Sequence, residues 1–131
     1  MAESTLVFEQ SILHAATTEK EVELTTFGRT TGKPSRRIIW ITNLNDRLYI
    51  RSGLGLTRDW PKNLLANQRG ILHIDGHDVP IRARHVTTPD EARALHAPVK
   101  HKYNAERPSS SGDEPLTPSE QAVFELVSSP D

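Results

Sequence analysis

The segment from Thr25 to Asn63, TTFGRTTGKPSRRIIWITNLNDRLYIRSGLGLTRDWPKN, constrains the fold more than any other part of the chain. A glycine-punctuated basic turn leads into an apolar run, RRIIWIT over Arg36–Thr42, which reads as a largely buried strand. Asn43-Leu44-Asn45-Asp46 supplies a hairpin turn. Arg47–Ser52 then alternates, with Leu48 and Ile50 on one face and Arg47, Tyr49 and Arg51 on the other. Strands joined by so short a turn pair antiparallel, because a parallel crossover needs about a dozen residues or more. The same pattern recurs in Ile71–Asp75 and Val79–Val86 around Gly76-His77-Asp78.

Helical patterns fall between these hairpins. Leu6, Val7, Phe8, Ile12, Leu13 and Ala16 predict a short amphipathic helix within residues 1–19. Lys20–Thr26 predicts a strand. Thr57 is placed to cap a helix reaching Asn67, with Trp60, Leu64 and Leu65 turned inward. Thr88, Pro89 and Glu91 have the spacing of a capping box with proline at the first helical position. Residues 104–118 shift to Pro, Ser, Gly and acids and read as a flexible loop, and Ala122–Val127 as a last strand. Helix, strand, hairpin, helix, hairpin, helix and strand in that order predict one mainly β domain over residues 1–131, a small antiparallel barrel with small helices.

Composition narrows the chemistry. The absence of cysteine excludes thiol nucleophiles, disulfides and cysteine-held metals, and fits a cytoplasmic setting. A formal net charge of −1 gives no general attraction to nucleic acid, so no nucleic-acid partner is expected. No apolar run approaches the length of a membrane span, and the N-terminus lacks signal-peptide order. The six histidines form no pair with metal-ligand spacing, and no catalytic triad or carboxylate pair stands out. No catalytic residue and no metal are therefore expected.

Charge is concentrated locally instead. Arg29, Lys33, Arg36 and Arg37 all lie between Glu23 and Asp46. Gly28–Pro34 is not a P-loop, since its spacing is short and a strand follows it rather than a helix. What remains is either a turn whose glycines, hydroxyls and cations hold a phosphate or carboxylate, or an ordinary solvated hairpin flank. Gly53–Trp60 offers a second anion site, with backbone amides at a helix start beside Arg58. Trp40, Tyr49 and Trp60 are either core residues or the lining of a flat aromatic ligand.

Thr26, Gly28, Arg29, Thr31, Gly32, Lys33 and Pro34, then Ser52-Gly53 with Gly55, Trp60 with Asn63-Leu64, and Thr87 with Pro89–Arg93 form a recognisable series. On these motifs the chain resembles the deazaflavin-dependent nitroreductases, within the flavin and deazaflavin oxidoreductases of the pyridoxamine-phosphate-oxidase-like, FMN-binding split β-barrel. The resemblance spans roughly residues 21–103. The chain is also similar to a short uncharacterised bacterial split-barrel family. The resemblance implies a cytoplasmic homodimer that binds F420, or alternatively FMN, and transfers hydride to a small-molecule electrophile. It puts Arg29, Lys33, Arg36 and Arg37 near the cofactor's phosphate or acidic tail. Ser52, Gly53, Leu54, Gly55, Arg58 and Trp60 would lie near its ring and linker, and Tyr103 on the substrate side. Leu54, Leu56, Asp59, Pro61 and the tail after Ala105 depart from the family pattern. These departures leave open a non-catalytic barrel that binds FMN, haem or another ring, or a structural barrel with an empty groove.

Overall fold

The computed structural model describes residues 8–104 and 108–129. Its elements are α1 (Gln10–Thr18), β1 (Val22–Phe27), β2 (Pro34–Ile39), β3 (Ile41–Leu44), β4 (Arg47–Arg51), a 3-10 turn (Gly55–Thr57), α2 (Asp59–Asn67), β5 (Arg69–Ile74), β6 (His77–His85), α3 (Pro89–Arg93), α4 (His96–Tyr103), α5 (Pro118–Gln121) and β7 (Val123–Ser128). The seven strands form one sheet in the order β2-β1-β5-β6-β7-β4-β3, and every pairing is antiparallel.

That order closes the sheet in an unusual place. β2 and β3 are its two opposite edges, yet only Trp40 separates them in the chain. The sheet therefore curls until its edges meet at one residue. The apolar run expected as a single buried strand is in fact two edge strands, with Arg36, Arg37 and Ile38 exposed. The first hairpin turns within the expected Asn43–Asp46, and the second turns one residue earlier than expected, at Asp75-Gly76, so that His77 and Asp78 already belong to β6. Asn45 and Asp46 have φ of 55° and 65°, and Asp75 and Gly76 have 53° and 72°, the left-handed pair of a tight turn matched to strand twist.

Alternation along the strands sends two sets of residues to opposite faces. Leu24, Ile41, Leu48, Ile50, Leu72, Ile81, Phe124 and Leu126 fill the barrel, joined by Ile12, Leu13 and Ala16 of α1 and by Leu64 of α2. On the outer face, α3 and α4 cover Tyr49 and Val123 with Ala92, Leu95 and Val99. Leu6 and Val7, expected in the first helix, lie outside the described residues.

Three local expectations are corrected. Leu65 is 42% exposed rather than inward. Thr57 does not cap α2: its hydroxyl donates to the Leu54 carbonyl, and Arg58 occupies the cap position without a side-chain bond. The capping box lies not at Thr88 and Glu91 but at Thr117 and Glu120. Glu91 is drawn away to Arg84 and Tyr49. Within the segment expected as a flexible loop, residues 108–117 carry specific anchors. Arg93 donates to Ser110, Gly112 and Glu114, and buried Glu120 accepts from the Ser110 amide and hydroxyl. Residues 105–107 of that segment lie outside the described residues.

Candidate functional site

β2 is bonded on one side only, to β1. Between its free side and the segment from Ser52 to Trp60, the structure leaves an open cleft of ≈ 820 Å³. Arg37, Ile38 and Ile39 line one wall, and Ser52, Gly53, Leu54, Thr57, Arg58, Asp59 and Trp60 the other, with Trp40 and Arg51 between them and Glu21 at the margin. Among the described residues four large apolar side chains are exposed: Ile38 (62%), Leu54 (56%), Leu65 (42%) and Trp40 (38%). Three of the four line this cleft. Clustered exposed apolar surface marks an interaction site more strongly than scattered residues do.

Three arginines, Arg37, Arg51 and Arg58, accompany that apolar surface. No side chain caps the first turn of α2, Pro61 carries no N–H, and the Lys62 N–H bonds the Arg58 carbonyl at 3.3 Å. The amides of residues 59 and 60 remain as the uncapped donors of that turn, where the helix dipole favours negative charge. The cleft can thus take a flat apolar body bearing an anion.

A second cleft of ≈ 340 Å³ continues past Asp59, lined by Gly28, Arg29, Thr30, Thr31, Lys33, Pro34, Ser35 and Asn63. Asp59 lines both. The buried Asn63 organises this end. Its amide donates to Thr26 Oγ1 at 3.1 Å, and its Oδ1 accepts from Arg29 Nη1 at 3.0 Å and from the Arg29 amide at 3.3 Å. Arg29 Nη2 also lies 3.6 Å from Asp59 Oδ1. The turn is closed by Gly28 and Lys33, whose N–H and C=O groups bond at 2.8 Å. The Lys33 side chain is exposed.

Trp40 marks the far wall, where the barrel closes. Its ring stacks on Tyr103, with centroids 4.0 Å apart and planes 1° from parallel. The Tyr103 hydroxyl accepts from the Ile41 N–H at 3.0 Å and donates to the Ile41 C=O at 2.9 Å. Lys102 Nζ donates to the carbonyls of Ile41 and Ala16, both at 2.6 Å. Burial, with Lys20 nearby, lowers the Lys102 ammonium pKa to about 8. The residues that follow the edge-to-edge crossing are thus fastened by two side chains of α4. Behind Trp40 a small pocket of ≈ 30 Å³ is bounded by Thr42, Tyr49, Arg51, Gly53, Leu95 and Val99.

The residues expected from sequence divide as follows. Arg37, Ser52, Gly53, Leu54, Arg58 and Trp60 line the larger cleft, and Arg29 and Lys33 the smaller. Arg36 projects from the opposite face of β2 to Glu23 and lines a separate cleft with His73 and Asp78. Gly55 lies outside the lining: it is buried with φ of 79°, and a Cβ there would come within 3.1 Å of Pro118 Cβ. Tyr103 stands behind Trp40 with its hydroxyl engaged by the backbone. Sequence reasoning missed Ile38, Arg51, Asp59 and Asn63. The adjacent charges Arg36-Arg37 were the available signal, since side-by-side charges in a strand mark an edge.

Other polar clusters serve the fold. Glu125, 7% exposed, accepts two bonds from Arg47 and one from Arg84, each at 2.9 Å. Glu91 accepts from Arg84 and, at 2.8 Å, from the Tyr49 hydroxyl. The arginine bonds hold both carboxylates below their ordinary range, and burial pushes the Tyr49 phenol up to about 12. His73 bridges Thr25 and Asp78 at 2.7 Å each. No cluster of three or more metal-ligating groups occurs among the described residues, and no described helix is long and apolar enough to cross a membrane.

The family described as "Uncharacterized protein conserved in bacteria (DUF2255)" matches residues 12–126. No curated protein matches the sequence significantly. Solved structures similar to the chain include a candidate pyridoxamine 5′-phosphate oxidase from Listeria innocua (TM-score 0.62, 14% identity, covering 92% of this chain and 91% of that one). An F420 reductase is similar at TM-score 0.57 and 13% identity, covering 92% and 94%. A structure described as a domain-swapped dimer is similar at TM-score 0.60 and 19% identity, covering 89% and 92%. At these identities the likeness is one of fold. The strands form the antiparallel split barrel that the sequence motifs imply.

Proposed function

The chain belongs to the DUF2255 family of bacterial proteins, and we propose that it is an oxidoreductase that binds reduced F420, or alternatively FMN, in the cleft between β2 and residues 52–60. The single observation that carries this reading is the coincidence of Ile38, Trp40 and Leu54, exposed and apolar, with Arg37, Arg51 and Arg58 around one opening. A planar ring with an anionic arm matches both properties. A purely apolar partner would leave Arg37 and Arg58 unexplained, and a simple anion would leave the exposed apolar groups unexplained.

The side chains fit such a group. Ile38, Leu54 and Trp40 offer it apolar contact, and Trp60, packed against the barrel core, closes the inner wall. Arg37 and Arg58 meet its polar edge. Arg29, Lys33 and the backbone of the basic turn, which line the adjoining cleft, would hold its phosphate. The bound deazaflavin supplies the hydride, and the acceptor is a small electrophile. The chain binds the ring, orients it and excludes water from one face. The carboxylates of the cleft are Glu21 and Asp59. The fold shared with a structure described as a domain-swapped dimer supports a homodimeric assembly.

The test is turnover. The purified protein is mixed with reduced F420 and a panel of nitroaromatics, quinones and enones, and return of oxidised F420 absorbance is followed. Acceleration over the protein-free rate by at least one acceptor supports the reading. Binding of F420 with no acceleration across the panel supports a non-catalytic ring binder instead, consistent with a Tyr103 hydroxyl already committed to the Ile41 backbone.

A further inference from the structure

We infer that Asp59 tunes the charge selectivity of the phosphate cleft, weakening its hold on a phosphate monoester with two negative charges more than its hold on a diester with one. The inference rests on the cofactor reading above and concerns how the site weighs the two charge classes of phosphate.

Asp59 opens α2 and is the one residue lining both clefts that carries a negative charge. Its side chain is 70% exposed and its carboxylate lies 3.6 Å from Arg29 Nη2. Arg29 is not free to turn away from it. Its guanidinium and its amide both bond Asn63 Oδ1, and Asn63 is itself fixed by the buried Thr26 hydroxyl. The cleft therefore holds two cations, Arg29 and Lys33, against one carboxylate. Its net charge is about one positive unit, half of what the two cations alone would supply. A second charge on the phosphate gains less from the two cations than it would without Asp59, because repulsion by the carboxylate grows with the charge on the ligand. A monoester carries close to two negative charges at neutral pH, with a second pKa of about 6. A diester carries one.

A purely structural role accounts for less of the arrangement. An exposed ion pair of this length adds little stability, and an acid in the first helical turn adds only a small dipole term. Neither requires the carboxylate to stand at the junction of two clefts.

FMN, whose phosphate is a monoester, and its phosphate monomethyl ester, a diester on the same ring without an acidic tail, provide the test, with F420 run alongside as a check of the cofactor reading. Tryptophan quenching gives the affinity of each for the unaltered protein, for Asp59→Asn, and for Asp75→Asn. The last makes the same charge change on the exposed β5–β6 turn, away from both clefts. Asp59→Asn is expected to raise FMN affinity about tenfold and methyl-ester affinity about threefold, shifting their ratio about threefold towards FMN. Asp75→Asn should leave the ratio unchanged. Equal gains for FMN and its methyl ester, no gain for FMN, or the same shift in Asp75→Asn would overturn the inference while leaving the cofactor site intact. Failure of the unaltered protein to bind either cofactor would overturn the cofactor reading, and the inference with it.

Discussion

The rings of Trp40 and Tyr103 lie 4.0 Å apart and parallel to within 1°, and this contact sits where the two edges of the sheet meet. The Tyr103 hydroxyl serves both backbone groups of Ile41, the first residue after the crossing. One α4 side chain thus satisfies the corner's backbone and supports an aromatic wall of the cleft.

Tyr103→Phe keeps the stack and removes both hydroxyl bonds. The Ile41 carbonyl retains Lys102, but the N–H of this buried residue loses its partner. A loss of about 1–3 kcal/mol in urea unfolding is expected. The Trp40 emission should change little, whereas Tyr103→Ala should shift it as well. A Tyr103→Phe protein as stable as the parent would mean that the hydroxyl bonds are not formed in solution.

Gly55 and Gly32 separate two kinds of glycine requirement. Both have positive φ, 79° and 73°, but Gly32 has nothing within 4 Å of a built Cβ, while Gly55 meets Pro118 Cβ at 3.1 Å and its carbonyl oxygen at 3.2 Å. Gly32→Ala should cost about 1 kcal/mol from backbone strain alone. Gly55→Ala should cost clearly more, because the turn must also move off α5. Equal thermal shifts for the two variants would contradict the packing at Pro118.

Acid stability should depend on Glu91 and Glu125. Their folded-state pKa values lie below the unfolded ones, held there by Arg84 and Arg47 respectively. The folded state then binds fewer protons through the carboxylate range. The stabilisation is complete above the ordinary glutamate pKa and is lost as pH falls through and below it. Glu125→Gln should cost about 2 kcal/mol at pH 7 and flatten the decline between about pH 5 and 3. A decline as steep as that of the parent would place the acid sensitivity elsewhere.

Much of this architecture is legible in the sequence because it is local. The alternation of Arg47–Arg51 and the turn residues Asn45-Asp46 and Asp75-Gly76 specify two hairpins and hence an antiparallel sheet. The bend at Trp40 is not local. Ile38, Ile39, Trp40 and Ile41 read as one apolar strand, and only the pairing of β2 with β1 and of β3 with β4 shows that the run divides between two edges. Ile38 is therefore exposed where apolar character suggested burial. The arginine–glutamate network was hidden for the same reason. Tyr49 opposes Glu125, which opposes Arg84, through a register joining strands distant in the chain. At the candidate site, the basic turn and the glycine loop stood out individually. That Asp59 joins their clefts, and that Gly55 is committed to Pro118, follows from packing alone.

The basic residues can be tested as a pair. Lys33→Ala with Arg37→Ala removes two exposed cations, one from each cleft. F420 affinity should fall by about one to two orders of magnitude, and the remaining binding should depend less on salt. Folding stability should stay within about 0.5 kcal/mol of the parent, since both side chains are exposed. Affinity and salt dependence equal to those of the parent would remove the basic turn and Arg37 from the site.

Both tryptophans of the chain, Trp40 and Trp60, line the larger cleft. Intrinsic fluorescence therefore reports on the proposed site directly. The decisive measurement is a quenching titration of the purified protein with F420, with FMN and haem in parallel. The account predicts saturable quenching by F420 in the micromolar range, weaker quenching by FMN, and a smaller signal change in Trp40→Phe, where Trp60 alone reports. Absence of saturable quenching by all three compounds would contradict it.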